Sequence, residues 1–247
     1  QYTMELFFTI VILACLHSFV LPDEQGDALF ALRNSLNASS DQLADWNQNQ
    51  VSPCTWSKIT CDAKGNVLMV SLSSMGFSGT LTPRIGVLKN VNTLSLQGNG
   101  ITGKIPKEIG NLTSLTMLDL ENNRLSGEIP ASLSNLKKLQ SLFLSRNNLT
   151  GTIPQSLSGL PNLMNLQLGS NGFTGQIPEH LFQVPKYKYT PITVFTLDSR
   201  SRLLSFFLLY LCIIFNFSVT LFGYSSFTGN YLNCGLNLTH HCESDTG

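Results

Sequence analysis

The chain has 247 residues, enough for one or two ordinary domains. Its 15 basic and 15 acidic side chains cancel, which removes any compositional case for nucleic-acid binding.

The first methionine is Met4, so residues 1–3 read as upstream sequence. Residues 6–21 are apolar, too short to span a bilayer comfortably, and polar Pro22-Asp23-Glu24-Gln25-Gly26 follows. This reads as a secretory signal over residues 1–21, with Glu5 standing where a positive n-region is usual. A buried helix is the competing reading, and it would need a partner surface. Residues 22–66 read as a cap. Ala28, Leu29, Leu32 and Leu36 recur at helical spacing over residues 27–36, and Leu43, Trp46 and Trp56 add bulk.

Residues 67–187 repeat one pattern at a constant period. Val91, Leu115, Leu139 and Leu163 each open a 24-residue block reading L-x-x-L-x-L-x-x-N-x-[LIF]-x-G-x-I-P. A degenerate fifth copy precedes them at Val67, Val70, Leu72, Phe77, Gly79 and Leu81, with Met75 in place of the asparagine. This period and wording define a leucine-rich repeat. Each copy supplies a short strand, such as Thr93-Leu94-Ser95-Leu96-Gln97, whose leucines point to one face and whose polar residues point to the other. Stacked copies build a parallel sheet with a shared leucine core, and Asn99, Asn123, Asn147 and Asn171 can bond the backbone where the chain turns. The expected fold is an α/β solenoid of five 24-residue repeats, of right-handed type, with a helical N-terminal cap and disulfide caps at both ends. Such a stack is a shaped binding surface and rarely a catalyst.

Residues 188–225 break the pattern, and 203–222 are long and apolar enough for a transmembrane helix. Such a span would leave the cysteines and sequon that follow it in the cytosol, and would place Arg200 and Arg202 on the outer flank. Joining Tyr187 to Ser226 instead restores a continuous last repeat. The inserted residue types have T-rich codons, as a translated intron would. Retained intron and membrane span stand as the two readings, with residues 226–247 as the C-terminal cap.

Apart from Cys15 and Cys212, the cysteines form two close pairs flanking the repeats, Cys54 with Cys61 and Cys234 with Cys242. Disulfide-stapled caps would cover the exposed ends of the stack. Sequons at Asn37, Asn111, Asn148 and Asn237 agree with export.

The G-x-I-P wording at this period resembles the plant-specific class of leucine-rich repeats, which implies a second short strand and a twisted superhelix. Gly26-Asp-Ala-Leu-Phe-Ala-Leu-Arg33, Asp45-Trp-Asn47, Pro53-Cys-Thr-Trp56, Gly86-Val-Leu-Lys-Asn90, Leu181-Phe-Gln-Val-Pro185 and Asn233-Cys-Gly235 narrow the resemblance. With residues 188–225 set aside, the chain resembles the ectodomains of plant leucine-rich-repeat receptor-like kinases. The closest group is the five-repeat subfamily containing the somatic embryogenesis receptor kinases. Two departures mark it as a sister clade. Ser57 and Lys58 stand where those kinases carry an aromatic and a histidine, and the chain ends Glu243-Ser-Asp-Thr-Gly247 without a proline-rich hinge.

The resemblance implies cell-surface pairing with another leucine-rich-repeat receptor ectodomain, with or without a peptide ligand. It implies the plasma membrane with the repeats outside, or secretion if the chain is truncated. A soluble secreted binder, such as an inhibitor of a pathogen enzyme, is the alternative. A kinase domain would belong to a full-length relative; it is absent from these residues.

No catalytic set, metal site or cofactor site is expected. Gly98-Asn-Gly-Ile-Thr-Gly103 matches a dinucleotide fingerprint but runs into Lys104-Ile-Pro106 rather than a helix. Cys234, His240, His241 and Cys242 could be drawn around zinc, and a disulfide is simpler in an exported chain. The solvent-facing strand positions remain: Met69, Ser71 and Ser73; Thr93, Ser95 and Gln97; Met117, Asp119 and Glu121; Ser141, Phe143 and Ser145; Asn165, Gln167 and Gly169. Met117 and Phe143 are apolar where the repeat requires nothing apolar, with Asp119 and Glu121 as a polar rim. Two scattered surface hydrophobes are the competing reading. The resemblance implies that the N-terminal cap and the inner face of the early repeats meet the partner, at positions that correspond here to Ser57, Lys58, Gln97, Glu121 and Phe143; with Met117 these make up the partner-binding expectation.

Overall fold

The computed structural model describes residues 23–47, 52–178, 181 and 230–233. The expected signal, residues 188–225, the Cys234–Cys242 pair and Asn237 lie outside them.

The chain enters through helix α1 (Glu24–Ser35), which starts earlier than the apolar spacing over residues 27–36 indicates. The cause is Asp23, whose carboxylate accepts the Gln25 N–H at 3.0 Å and caps the helix, with Glu24 and Asp27 in the first turn. Ala28, Leu29, Leu32 and Leu36 are buried as expected, and so are Leu43, Trp46 and Trp56. The two indoles stack with ring centroids 5.5 Å apart. Cys54 and Cys61 are joined as a disulfide.

α1 closes the open end of the stack. Its final carbonyls accept from the first repeat, Thr80 N–H to Ser35 O at 2.7 Å and Gly79 N–H to Leu36 O at 3.3 Å. The approach is so close that a Cβ on Gly79 would sit 1.8 Å from Ser35 O, which is why a glycine stands there. The Gln25 side chain ties the helix to the first repeat strand by accepting the Val67 N–H at 2.8 Å.

The repeat strands build a six-stranded sheet, with β1 (Ile59–Cys61) antiparallel to β2 (Val67–Ser71) at its edge. β3 (Thr93–Ser95), β4 (Met117–Asp119), β6 (Ser141–Phe143) and β8 (Asn165–Gln167) follow in parallel. Their register is offset by one full repeat at every step, so Val70, Leu94, Leu118, Leu142 and Leu166 form one buried row. The second short strand of the plant class is present. β5 (Ser126–Gly127), β7 (Asn148–Thr152) and β9 (Gly172–Gln176) pair in parallel, joined by β10 (Tyr231–Asn233).

Among the described residues three turns close with a 3₁₀ segment directly after the Pro of G-x-I-P, as in Lys107–Asn111 after Pro106, which buries Ile109 and Leu112 against the strand leucines, and the degenerate first copy does so from Pro83 itself. Gly103, Gly127, Gly151 and Gly175 have φ of 77°, 77°, 79° and 81°, a left-handed conformation that explains why G-x-I-P recurs without variation at its first letter.

The asparagines form a ladder through the interior. Asn123 donates to Leu96 O at 3.0 Å and Leu120 O at 3.1 Å, and its Oδ1 accepts the Ile101 N–H at 3.1 Å. Asn147 and Asn171 repeat this pattern one and two turns later. Each amide thus bonds backbone of its own turn and of the preceding one. Among the described residues no buried side-chain polar atom lacks a partner.

Candidate functional site: the solvent face of the six-stranded sheet

Strand pairing arranges the outward positions in rows. One row runs Met69, Thr93, Met117, Ser141, Asn165, and the next runs Ser71, Ser95, Asp119, Phe143, Gln167. Neighbours in a row are about 4.8 Å apart across the sheet. The Ser71 N–H donates to Lys58 O at 3.0 Å, which sets Lys58 at the N-terminal end of the second row. Gln97 and Glu121 follow their strands and are joined through backbone, with Gly98 N–H donating to Glu121 O at 3.0 Å. The face therefore brings five of the expected residues, Lys58, Gln97, Met117, Glu121 and Phe143, onto one continuous surface. Ser57 adjoins it through Lys58.

Ser57 is exposed but firmly held. Its hydroxyl donates to Asp45 Oδ1 at 2.9 Å, its N–H donates to Asp45 Oδ2, and its carbonyl accepts from Trp46 Nε1 at 2.9 Å. Burial pushes the Asp45 carboxyl up, but the Ser57 hydrogen bonds and the attraction of Arg33 outweigh it and hold the group below its ordinary value. Lys58 follows with φ of 67°, a left-handed conformation unusual for a lysine, and its side chain is exposed. A cation thus sits at the rim of the sheet on a fixed backbone.

Met117 is 36% exposed and Phe143 is half-buried, while the flanking Leu118, Leu142 and Leu144 are fully buried. Met69, two strands from Met117 in the same row, is 37% exposed and adds a third apolar side chain to Met117 and Phe143, one that the site expectation left out. Between Ser95 and Phe143 sits Asp119, whose carboxyl is raised by burial and only partly offset by the hydrogen bond from the Glu121 N–H at 3.1 Å. The sequence shows it only as part of a polar rim; its desolvation comes from the strands on either side.

Ser141 departs from its expected solvent-facing role and is buried, 6% exposed. It lies between Met117 and Asn165, and the Asn165 amide donates to its hydroxyl at 3.0 Å. Gly169 is likewise buried. Asn37, Asn111 and Asn148 are all exposed and lie off this face: beyond the end of α1, at the end of a 3₁₀ segment and on β7.

Comparison with known proteins places these features. A model of the leucine rich repeat N-terminal domain matches residues 22–62. Leucine rich repeat models match 90–112, 114–136 and 129–173. A probable LRR receptor-like serine/threonine-protein kinase of Arabidopsis thaliana is 63% identical over 90 residues, 36% of this chain and 15% of that protein. The chain therefore spans a small part of the length of that relative. A chain in the crystal structure of the BIR3–SERK2 complex from Arabidopsis thaliana superposes with a TM-score of 0.64 at 29% identity, over 88% of this chain and 98% of that one. The LRR ectodomain of the receptor kinase SOBIR1 from Arabidopsis thaliana gives a TM-score of 0.56 at 31% identity, over 65% of this chain and 86% of that one.

Proposed function

Through its cap and repeats this chain belongs to the plant leucine-rich-repeat receptor-like kinases, and we propose that it acts by pairing with another leucine-rich-repeat receptor ectodomain at the cell surface. The observation that carries this reading is the contrast within single strands. Interior positions are leucine turn after turn, while the outward positions of the same strands hold Met69, Met117, Asp119 and Phe143. Apolar side chains ringed by polar ones, with a fixed cation at the rim, are what a protein contact of moderate size uses.

The contact surface comprises Ser57, Lys58, Gln97, Met117, Glu121 and Phe143, extended by Met69 and Asp119. Solved relatives support pairing as the mode of action, since one of them is a complex of two such proteins, BIR3 with SERK2. Ser57 and Lys58 make the cap corner polar, so the contact relies on protein and peptide groups rather than on stacking against a steroid. Glycans on the exposed Asn37, Asn111 and Asn148 would leave the sheet face clear. The repeats lie outside the cell in this reading, and kinase activity would belong to a longer polypeptide.

The test is direct binding. The secreted ectodomain, titrated against a panel of purified plant leucine-rich-repeat ectodomains with and without peptide ligands, should bind at least one saturably. A panel with no saturable partner would contradict the proposal.

A further inference from the structure

Leucine rows fill the interior of the stack, but the large apolar side chains left in solvent are of another kind. Among the described residues they are Met69, Val87, Met117 and Met164, exposed by 37%, 38%, 36% and 43%. The three methionines gather on one side of the solenoid. Met69 and Met117 face outward in a single row of the six-stranded sheet, with Thr93 between them and about 10 Å separating their strands. Ser141 and Asn165 continue that row, and Met164 borders it, one residue before Asn165. Val87 ends a 3₁₀ segment on a different part of its turn.

The other sulfur and indole groups of the described residues are shielded. Trp46 and Trp56 are buried, and Cys54 is already joined to Cys61. Met75 is half-buried against the leucine core, and its N–H donates to Asn99 Oδ1 at 3.0 Å. A thioether in water reacts with hydrogen peroxide in a two-electron step. The sulfur lone pair takes one peroxide oxygen, an S–O bond forms as the O–O bond breaks, and the second oxygen leaves as water. The sulfur is oxidised and the peroxide is reduced. The product is a sulfoxide, polar and chiral where the thioether was apolar and flexible.

We infer that Met69, Met117 and Met164 are oxidation sites for hydrogen peroxide, and that their sulfoxides lower the affinity of the docking face. The interior is untouched, because these side chains stand in solvent, so the solenoid stays folded while its contact surface changes. Methionine suits both tasks. Its flexible, polarizable chain packs against a partner, and its sulfur is converted and restored where a leucine is inert. The effect on binding rests on the pairing proposed above; the order in which the methionines react does not.

The full chain is treated briefly with hydrogen peroxide, freed of it, and mapped by mass spectrometry. Sulfoxide should appear at Met69, Met117 and Met164 well before Met75, with Tm unchanged. Equal rates at all four, or a lowered Tm, overturn the inference. The treated chain is then titrated against the purified receptor ectodomain that binds the untreated chain. Affinity should fall about tenfold and return on treatment with methionine sulfoxide reductases acting on both epimers. A variant carrying Met69→Leu, Met117→Leu and Met164→Leu should have an affinity that peroxide does not change, whatever effect the substitutions themselves have. A leucine variant weakened by peroxide as much as the parent places the effect elsewhere and overturns the inference. Unaltered binding by the oxidised parent overturns it and leaves the pairing standing. A panel in which nothing binds the untreated chain overturns both.

Discussion

Two sides of the same strands behave differently. On the interior side, Leu94, Leu118, Leu142 and Leu166 are one residue type in one environment, repeated every turn. On the outward side the same four strands carry Thr93, Met117, Ser141 and Asn165 in one row and Ser95, Asp119, Phe143 and Gln167 in the next. The interior is dictated by the neighbouring turn, because every leucine must fill the space left by the one before it. The outward side has no such neighbour above it, so its composition is free to suit a partner. In a solenoid, departures from period on the solvent face are therefore where function is read.

The largest expected effect breaks the interior. Leu118→Ala should cost about 2–5 kcal/mol of stability through the cavity it leaves, while Met117→Ala, one residue away and facing out, should stay within about 0.5 kcal/mol. Chemical denaturation of the two variants measures both. Equal losses would erase the distinction between the faces.

Next comes the ladder. Asn123→Ala removes the Asn123 acceptor of the Ile101 N–H and one of the amide donors to each of Leu96 O and Leu120 O, which keep those of Asn99 and Asn147, and should cost about 3 kcal/mol. Hydrogen exchange should localise the loss to the turns on either side of residue 123. Protection lost evenly over the whole chain would argue against a nearest-neighbour stack.

The smallest effect belongs to Asp119. Burial raises its folded carboxyl above the unfolded value, so its protonated form is favoured in the folded state. Its contribution to stability is fully present below the unfolded pKa and is lost as pH rises through the folded pKa. Asp119→Asn should therefore raise stability at neutral pH and flatten the rise seen on acidification from neutral. A variant less stable than the parent at pH 7 would mean that the carboxylate is better solvated than its position between Ser95 and Phe143 indicates.

The interior was legible because period enforces it. Leucine rows, asparagine rungs and the N-terminal disulfide all follow from residues recurring once per repeat or standing as a close pair, whereas the left-handed φ of the recurring glycines is visible only in the structure. The cap helix was legible in its buried residues but not in its start, which depends on one hydrogen bond from Asp23. Ser141 escaped because alternation assigns a direction, not an exposure; Met117 and Asn165 flank it across the sheet. Asn230, which donates to Leu168 O at 3.0 Å and accepts the Phe173 N–H at 3.1 Å as a further rung of the ladder, escaped because it stands more than two repeat lengths beyond Asn171 instead of one, although Asn230-Tyr-Leu232 keeps the repeat's N-x-[LIF] wording. The outward residues were legible as exceptions to pattern. The desolvation of Asp119 was not, since it depends on strands one repeat away on either side.

The most direct test of the claim that the sheet face is a docking surface is the affinity of Phe143→Ala for a purified partner ectodomain, read beside its Tm. Burying this ring against a partner is worth about 1.5–3 kcal/mol. Affinity should therefore fall roughly ten- to hundred-fold, with Tm and secretion unchanged because the side chain faces away from the leucine core. Lys58→Glu should weaken the same complex from the rim. Unchanged affinity in both variants would contradict the account and place the interface on another face of the solenoid.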